Sequence, residues 1–366
     1  MSKNAQHSSA RVRKKVRYTK EEQALRSKKR TGIVLTVLLA VFSVIFVTVG
    51  TLLCQFNYNY VSLDNISDDE LGITSSAVSS NVINIALFGV DTRRSNSFKG
   101  NSDTIMVLSI DKVHNKIKIT SVMRDSLVTI DGHKWGAYKI NSAYGGGPTK
   151  AIKTLNSNFH LDIREYATVN FNGMSQIIEE MGGIEVDVTK AEVKDANIHI
   201  KYQAKRMGVE PDYIKEPGLQ LLNGMQAVAW ARIRHVKTAD GTTADFGRTD
   251  RQRYVMEKLF DKLLTLEKSK YPSLIKTMLP YVETSLSYSD IINLAAVLQN
   301  TGLNFEQTRV PQREYVINSG YSFHGASTVY YNVEYASKVM HAFIYDDIDP
   351  KTYMEQNGID KTRWLD

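Results

Sequence analysis

Cysteine is nearly absent: Cys54 stands alone in 366 residues. No intrachain disulfide can form, so the folded part must be stable through its core alone. Internal repeats and low-complexity tracts are absent as well. Excess positive charge is missing from most of the chain, although the formal net charge is +7. Residues 1–30 carry eleven Lys and Arg against Glu21 and Glu22, a surplus of +9, which leaves 7 − 9 = −2 for everything that follows. A net-acidic body behind a short basic tail argues against a nucleic-acid partner. No charge at all occurs from Thr31 to Leu53, 23 residues rich in Val, Leu, Ile and Phe. About 20 such residues cross the hydrocarbon core as a helix. Leu52, Leu53, Cys54 and Gln55 offer no small-x-small cleavage site, so the run reads as a retained transmembrane helix and not a cleaved signal peptide. Leu53 is also too large for lipoprotein processing at Cys54. The Lys/Arg-rich flank keeps residues 1–30 in the cytoplasm, which places the chain from Cys54 onward outside the cell membrane.

What remains is 42% hydrophobic over the whole chain, enough for one large domain or two small ones. Residues 54–81 turn polar and read as a spacer. Val82–Phe88, Thr104–Ile110 and Ile117–Val122 are short β-branched runs of strand length, as are Ala167–Phe171 and Ile184–Val188. Ala151–Phe159 and Met174–Met181 have helical spacing, the second stopped by Gly182 and Gly183. Alternating strands and helices favour a layered α/β domain over residues 82–350, with 351–366 as a tail. Residues 190–217 lack a convincing period and read as a surface excursion. Asn223–Ala231, Thr249–Leu266 and Ser289–Gln299 read as helices, the last with Ser289 as N-cap.

Several groups of residues at element ends carry chemistry. Gly89-Val90-Asp91-Thr92-Arg93 closes a buried strand, where open α/β sheets present binding residues. Asn101-Ser102-Asp103-Thr104 leads into the next strand, so Asp91 and Asp103 could share one Mg²⁺, a hard cation that takes oxygen ligands beside phosphates. Arg124-Asp125 follows a third strand, and an arginine fork suits a phosphate. Lys139, Asn141 and the Gly145–Gly147 triplet add a cation, an amide and a loop that lets backbone approach a ligand. Arg232, Arg234, Arg248 and Arg251 fall within twenty residues. Arg248 is expected just before a helix, where N-terminal amides could join it on an anion. Singly, each group is also what a turn, a cap or a solvated surface uses.

Taken in order, Gly89-Val90-Asp91-x-Arg93, Ser102-Asp103-Thr104, Arg124-Asp125, Lys139-Ile140-Asn141-x-Ala143-Tyr144, Leu222-Asn223-Gly224-x-Gln226-Ala227, Ala231-Arg232-x-Arg234 and Gly247-Arg248-x-x-Arg251-Gln252 resemble the LytR-CpsA-Psr family. The resemblance spans about residues 83–255. It implies a three-layer α/β/α domain that holds a polyprenyl pyrophosphate, with the tail in an apolar tunnel and the head on arginines and Mg²⁺, or Mn²⁺ in its place. By position, Asp91 and Asp103 would be the metal carboxylates and Arg93, Arg124, Arg232, Arg234 and Arg248 would hold the pyrophosphate. Lys139, Asn141, Arg251 and Gln252 would support them. The implied activity attaches teichoic acid, capsule or a related polymer to a muramic-acid hydroxyl of peptidoglycan. In that reaction the acceptor hydroxyl attacks the anomeric carbon as charge builds on the leaving lipid pyrophosphate, with Asp125 or Asp91 as general base. Two positions depart from the family pattern: Asn101 stands where an arginine is usual, and Met123 where a proline is usual. A non-catalytic sensor of lipid-linked precursors and a lipid pyrophosphatase are the alternatives. Direct DNA binding is disfavoured, because the cytoplasmic tail shows no helix-turn-helix pattern.

Overall fold

A computed structural model describes residues 58–74, 79–92, 97–238, 241–242, 244–300 and 304–358, apart from the side chains of 268 and 295–300. The expected membrane helix at 31–53 and Arg93 lie outside the described residues. No helix of the described residues is long and apolar enough to cross a membrane.

The described chain opens with the short strand β1 (Asn59–Tyr60), then the antiparallel run β2 (Val82–Val90), β3 (Ser102–Asp111) and β4 (Lys116–Val122). A hairpin of β5 (Leu127–Thr129) and β6 (Ala137–Lys139) leads through a 3-10 turn to helix α1 (Pro148–Phe159). Strand β7 (Glu165–Asn170), helix α2 (Phe171–Glu180), strand β8 (Ile184–Val188) and helix α3 (Lys190–Met207) follow. Next come β9 (Gly218–Leu222), α4 (Gly224–Ala231), α5 (Ala244–Thr265), α6 (Tyr271–Met278) and β10 (Val282–Thr284). The chain then forms α7 (Tyr288–Asn300), β11 (Asn304–Val310), the hairpin β12 (Val316–Phe323) and β13 (Ala326–Tyr331), and helices α8 (Val333–Tyr345) and α9 (Pro350–Asn357).

Seven strands form one mixed sheet in the order β1-β10-β7-β2-β3-β4-β11, with β2 parallel to β7 and antiparallel to β3. Side chains alternate across a strand, and β2 uses both faces. Ala86, Phe88 and Val90 enter a core with Ile152, Leu155 and Phe159 of α1 and Val339 and Phe343 of α8. Each Val, Leu, Ile or Phe among them, fully buried, contributes about 1.5–3 kcal/mol. Leu87 and Gly89 face the other way, toward α2, α4 and α5. Helices therefore cover both faces of the sheet, which is the three-layer arrangement.

The structure departs from the sequence reading in several places. Residues 190–207 form an 18-residue helix and not a surface excursion. Its buried face is Glu192, Ala196, Ile200, Gln203 and Ala204, where Ile200 is the one large apolar side chain and the polar Glu192 and Gln203 dilute the apolar period. The stretch read as a spacer starts the domain: Leu71 and Ile73 are buried in the core, and Asn156 donates to the Leu71 carbonyl at 2.8 Å. In the presumed tail, α9 buries Met354. Helix α7 starts before Ser289, and Ser287 accepts from the Asp290 N–H.

Candidate active site

The strand ends of β2, β3 and β4 and the starts of two helices converge on one cluster of charges. Gly89 pairs with Thr104 but Val90 pairs with Ser102, so Asp103 is the extra residue of a β-bulge. Bulges re-aim side chains, and Asp103 accepts from Arg124 Nη1 at 2.5 Å. Arg124 Nε lies 3.4 Å from Asp125 Oδ2, and its Nη2 is 3.8 Å from Asp245 Oδ1. Lys139, the last residue of β6, donates to Asp125 at 2.8 Å. Asp245 also meets Arg234 at 3.4 Å and Arg248 at 3.2 Å. At the other side, Asp91 faces Arg206 of α3 at 3.2 Å and Arg232 at 3.7 Å. Among the described residues, six cations thus surround four carboxylates, a formal excess of 6 − 4 = +2.

Burial makes these charges reactive. Burial pushes the Asp125 carboxyl above its ordinary range, and the hydrogen bond with Asp245 pushes it further. Burial opposes ionisation of Asp245 too, but the hydrogen bond from Asp125 and the flanking Arg248 and Arg124 outweigh it and hold Asp245 below the usual range. The same contact thus moves the two carboxyls in opposite directions. Burial and the nearby Arg124 lower the basicity of Arg248, which is only 4% exposed. Its Nε has no hydrogen-bond partner. A buried guanidinium with an unused donor is stabilised by any anion that reaches it. Arg232, lowered chiefly by burial, lies 4.1 Å over the Phe171 ring.

Behind Arg232 runs a cavity of about 270 Å³ between the sheet and helices α2, α4, α5 and α6. Leu87, Met106, Val169, Ile177, Val255 and Leu259 are typical of its walls, and Arg232 is the one charged residue among its described lining. Helix α5 orders the whole site. Asp245 and Arg248 stand in the charge cluster, Gln252 at the neck, and Val255, Met256, Leu259, Phe260 and Leu263 along the cavity. Gln252 to Leu263 covers roughly 16 Å at about 1.5 Å per residue. Gly89 is required where β2 meets β3, since a Cβ there would sit 2.9 Å from the Thr104 Cβ.

Of the residues nominated from sequence, Asp91, Asp103, Arg124, Asp125, Lys139, Arg232, Arg234 and Arg248 are brought together. Arg251 is placed elsewhere: its Nε and Nη2 bind Glu192 at 2.9 and 2.8 Å, and it donates to the carbonyls of Ile233 and Val236. It braces the segment that carries Arg232 and Arg234. Asn141 is buried and donates its backbone N–H to the Arg124 carbonyl at 3.2 Å, which fixes that turn. Arg248 does not precede its helix. It lies in the second turn of α5, so it meets an anion through its side chain and not beside free N-terminal amides. Two members of the cluster escaped sequence reasoning. Asp245 was visible only as a neighbour of Gly247-Arg248, and Arg206 lies in the helix whose period is too weak to read. The carboxylates of Asp91 and Asp103 are the hard oxygen donors that Mg²⁺ takes, and both are partly exposed at adjacent strand ends, where phosphate oxygens could complete a coordination shell. One further acid and histidine cluster occurs among the described residues, Asp111, His114 and Asp347, but the Lys118 ammonium already lies between its carboxylates at 2.7 and 3.1 Å.

Comparison with known proteins gives consistent results. The LytR_cpsA_psr family model matches residues 57–338. Biofilm regulatory protein A of Streptococcus mutans is 31% identical over 56% of this chain and 50% of its own length. The polyisoprenyl-teichoic acid--peptidoglycan teichoic acid transferase TagV of Bacillus subtilis is 30% identical over 58% of this chain and 52% of its own. The regulatory protein MsrR of Staphylococcus aureus is 32% identical over 61% of this chain and 60% of its own. The match thus spans about half to three-fifths of these relatives. Among solved structures, TagT bound to LIIa-WTA superposes with a TM-score of 0.57 at 19% identity, over 78% of this chain and 99% of that one. TagT with bound octaprenyl pyrophosphate gives 0.53 at 19% identity, over 78% and 99%. At that identity the likeness is one of fold.

Proposed function

This chain belongs to the LytR-CpsA-Psr family, and on that premise we propose that it is an extracytoplasmic, membrane-anchored transferase that moves a glycopolymer from a polyprenyl pyrophosphate to a muramic-acid hydroxyl of peptidoglycan. One observation carries the reading: an apolar cavity whose one charged residue among the described lining, Arg232, belongs to a cluster of described residues with a formal excess of two positive charges. An apolar chain ending in a pyrophosphate diester, which bears two negative charges, matches both halves. The teichoic acid transferase name of TagV and the prenyl pyrophosphate bound to TagT support the same substrate class.

Arg124, Arg232, Arg234 and Arg248 orient the two phosphates and neutralise charge as it develops, which is often the largest catalytic contribution. Asp91 and Asp103 would hold Mg²⁺, which supplies further charge neutralisation on phosphate oxygens. Asp125 is the general base. Burial and Asp245 raise its carboxyl above the usual carboxylate range, which makes it the stronger base of the two, whereas Arg248 and Arg124 hold Asp245 below it. The acceptor hydroxyl oxygen bonds to the phosphorus next to the sugar, its proton passes to Asp125, and the bridging P–O bond breaks with its electron pair leaving on polyprenyl phosphate. We place the attack at phosphorus and not at the anomeric carbon, because the cations cluster where the pyrophosphate head would sit.

The test combines the full chain with Mg²⁺, a lipid-pyrophosphate oligosaccharide and peptidoglycan fragments, and follows products by mass spectrometry. An adduct retaining one phosphate, lost in Asp125→Asn, supports the proposal. An adduct without phosphate would move the attack to carbon; lipid release without adduct would make the protein a hydrolase; bound but unchanged lipid would make it a sensor.

A further inference from the structure

The glycine triplet Gly145–Gly147 lies between the charge cluster and a second, polar cavity of about 710 Å³, within the roughly 300–1,000 Å³ typical of ligand sites. On one side, a Cβ on Gly145 would stand 3.4 Å from Asn101 Oδ1, two residues before Asp103. On the other, Gly146 lines the cavity, and a Cβ there would stand 2.6 Å from Lys150 Cδ, so the bare glycine lets the Lys150 stem lie across it. Helix α1 forms one wall. Thr149, Lys150, Lys153, Thr154 and Ser157 recur every three or four residues and share one face. That face runs roughly 12 Å from Thr149 to Ser157 at about 1.5 Å per residue. The opposite wall is the end of β5, where Asn158 accepts from the Thr129 N–H at 3.0 Å and donates to the Thr129 carbonyl at 2.8 Å. Thr129 is four residues from Asp125, at most roughly 14 Å along the chain. The cavity is thus a groove between α1 and the hairpin that springs from Asp125.

The charges of the groove are unevenly satisfied. Lys153 donates to Asp131 at 2.8 Å, and Glu70 already accepts from the Ser67 N–H and hydroxyl. Lys150 has no ion-pair partner among the described residues, and its Nζ would stand 4.0 Å from a Cβ on Gly132, in the β5–β6 turn. One unpaired ammonium beside the Thr129, Thr149 and Ser157 hydroxyls suits a ligand with a carboxylate and several amides. The reaction geometry says which substrate supplies it. Displacement at phosphorus sets the attacking and leaving oxygens in line, on opposite sides. The apolar cavity that receives the leaving polyprenyl phosphate is on the face of the sheet covered by α2, α4 and α5, and α1 covers the other face. The acceptor therefore arrives from the α1 side. Within a glycan strand a muramic-acid ring keeps only its C6 hydroxyl free, and across the ring its C3 lactyl ether starts a peptide. With the C6 hydroxyl at Asp125 the peptide points away from the phosphorus, and three or four extended residues at roughly 3.3 Å each span the groove.

We infer that the groove between α1 and the β5–β6 hairpin binds the peptide stem of the peptidoglycan acceptor, with Lys150 holding a stem carboxylate. The inference rests on the transferase reading and adds which part of the acceptor is recognised. Lys150 acts on acceptor binding and not on the chemical step, so it sets specificity for strands that carry peptides.

The experiment offers the full chain, in mild detergent with Mg²⁺ and a lipid-pyrophosphate oligosaccharide, two acceptors: glycan strands with their peptides, and the same strands stripped by an N-acetylmuramoyl-alanine amidase. The expected kcat/KM is about tenfold higher for the intact strands, through KM, and Lys150→Glu is expected to abolish that preference while kcat on intact strands is retained. Gly146→Ala keeps Lys150 but pushes its stem aside, and is expected to reduce the preference as well. In parallel, N-acetylmuramoyl-L-alanyl-D-isoglutamine and glycerol phosphate are titrated calorimetrically without donor. The muramoyl dipeptide is expected to bind and to lose about tenfold in affinity in Lys150→Glu. Equal kcat/KM for intact and stripped strands, or a dipeptide affinity that Lys150→Glu leaves unchanged, would overturn the stem site. Lys150-dependent binding of glycerol phosphate in place of the dipeptide would also overturn it, and would assign the groove to phosphates of the donor polymer. Absence of transfer to either strand would sink the transferase reading, and the dipeptide titration, which needs no donor, would then decide the groove by itself.

Discussion

Glu192→Ala tests whether the arginine segment is held by the buried Arg251 brace. Glu192 does two jobs: one carboxylate oxygen receives Arg251 at 2.8 Å, and the other closes a capping box by accepting from the Thr189 N–H at 2.9 Å. Leaving a buried guanidinium unpaired costs about 3–5 kcal/mol, and losing a cap costs about 1 kcal/mol. The expected loss is therefore about 4–6 kcal/mol, a large part of the roughly 5–15 kcal/mol that holds a domain folded. Urea unfolding of the full chain in mild detergent, followed by tryptophan fluorescence, reads this directly, because the Trp230 ring lies 5.8 Å from the Arg251 guanidinium. A Glu192→Leu/Arg251→Met double variant is expected to lose less than Glu192→Ala, since it buries no lone charge. A Glu192→Ala loss below about 1 kcal/mol, the level of an exposed ion pair, would refute the reasoning.

Three further outcomes follow from the same geometry. The proton-accepting form of Asp125 is lost as pH falls through its pKa, which burial and Asp245 raise above the usual carboxylate value of about 3.9. Asp245→Asn removes the neighbouring anion, so the acid limb of kcat/KM is expected to move to lower pH, and a limb that stays or rises contradicts the base assignment. Arg248→Gln is expected to weaken prenyl pyrophosphate binding by about 2–5 kcal/mol in calorimetry and to leave prenol binding unchanged; equal weakening of both would place Arg248 outside the head site. Gly224→Ala would put a Cβ 1.8 Å from the Ser175 carbonyl oxygen, so α2 and α4 must separate. The expected cost is about 1–3 kcal/mol, and an unchanged urea midpoint would contradict the close helix contact.

Much of this architecture was legible because the sheet obeys simple rules. The runs at Val82, Thr104 and Ile117 are β-branched and bounded by turns, and each is a central strand. The site residues could be listed because they sit at strand ends and in ordered motifs, yet their partners could not. Which carboxylate meets which arginine depends on a bulge at Asp103 and on the approach of α5, neither of which has a local sequence signal. Helix α3 was missed because its buried face mixes Ala196, Ile200 and Ala204 with Gln203 and with Glu192, which pairs with Arg251, although Thr189-x-x-Glu192 announced its start. Arg206 was lost with it. Residues 54–81 looked like a spacer because the side chains there that reach or pack against the core, Leu63, Ile66, Leu71 and Ile73, are few and scattered among polar residues.

The central claim is that one continuous site holds the apolar chain and the pyrophosphate together, with Arg232 at the junction. Its most direct test is calorimetric affinity of the full chain for geranyl pyrophosphate, inorganic pyrophosphate and geraniol, each measured with and without Arg232→Ala. The expected result is that geranyl pyrophosphate binds tighter than either fragment by at least about a hundredfold, roughly 2.8 kcal/mol, and that Arg232→Ala removes most of this advantage. Pyrophosphate and geraniol binding independently, with no gain when joined, would contradict it.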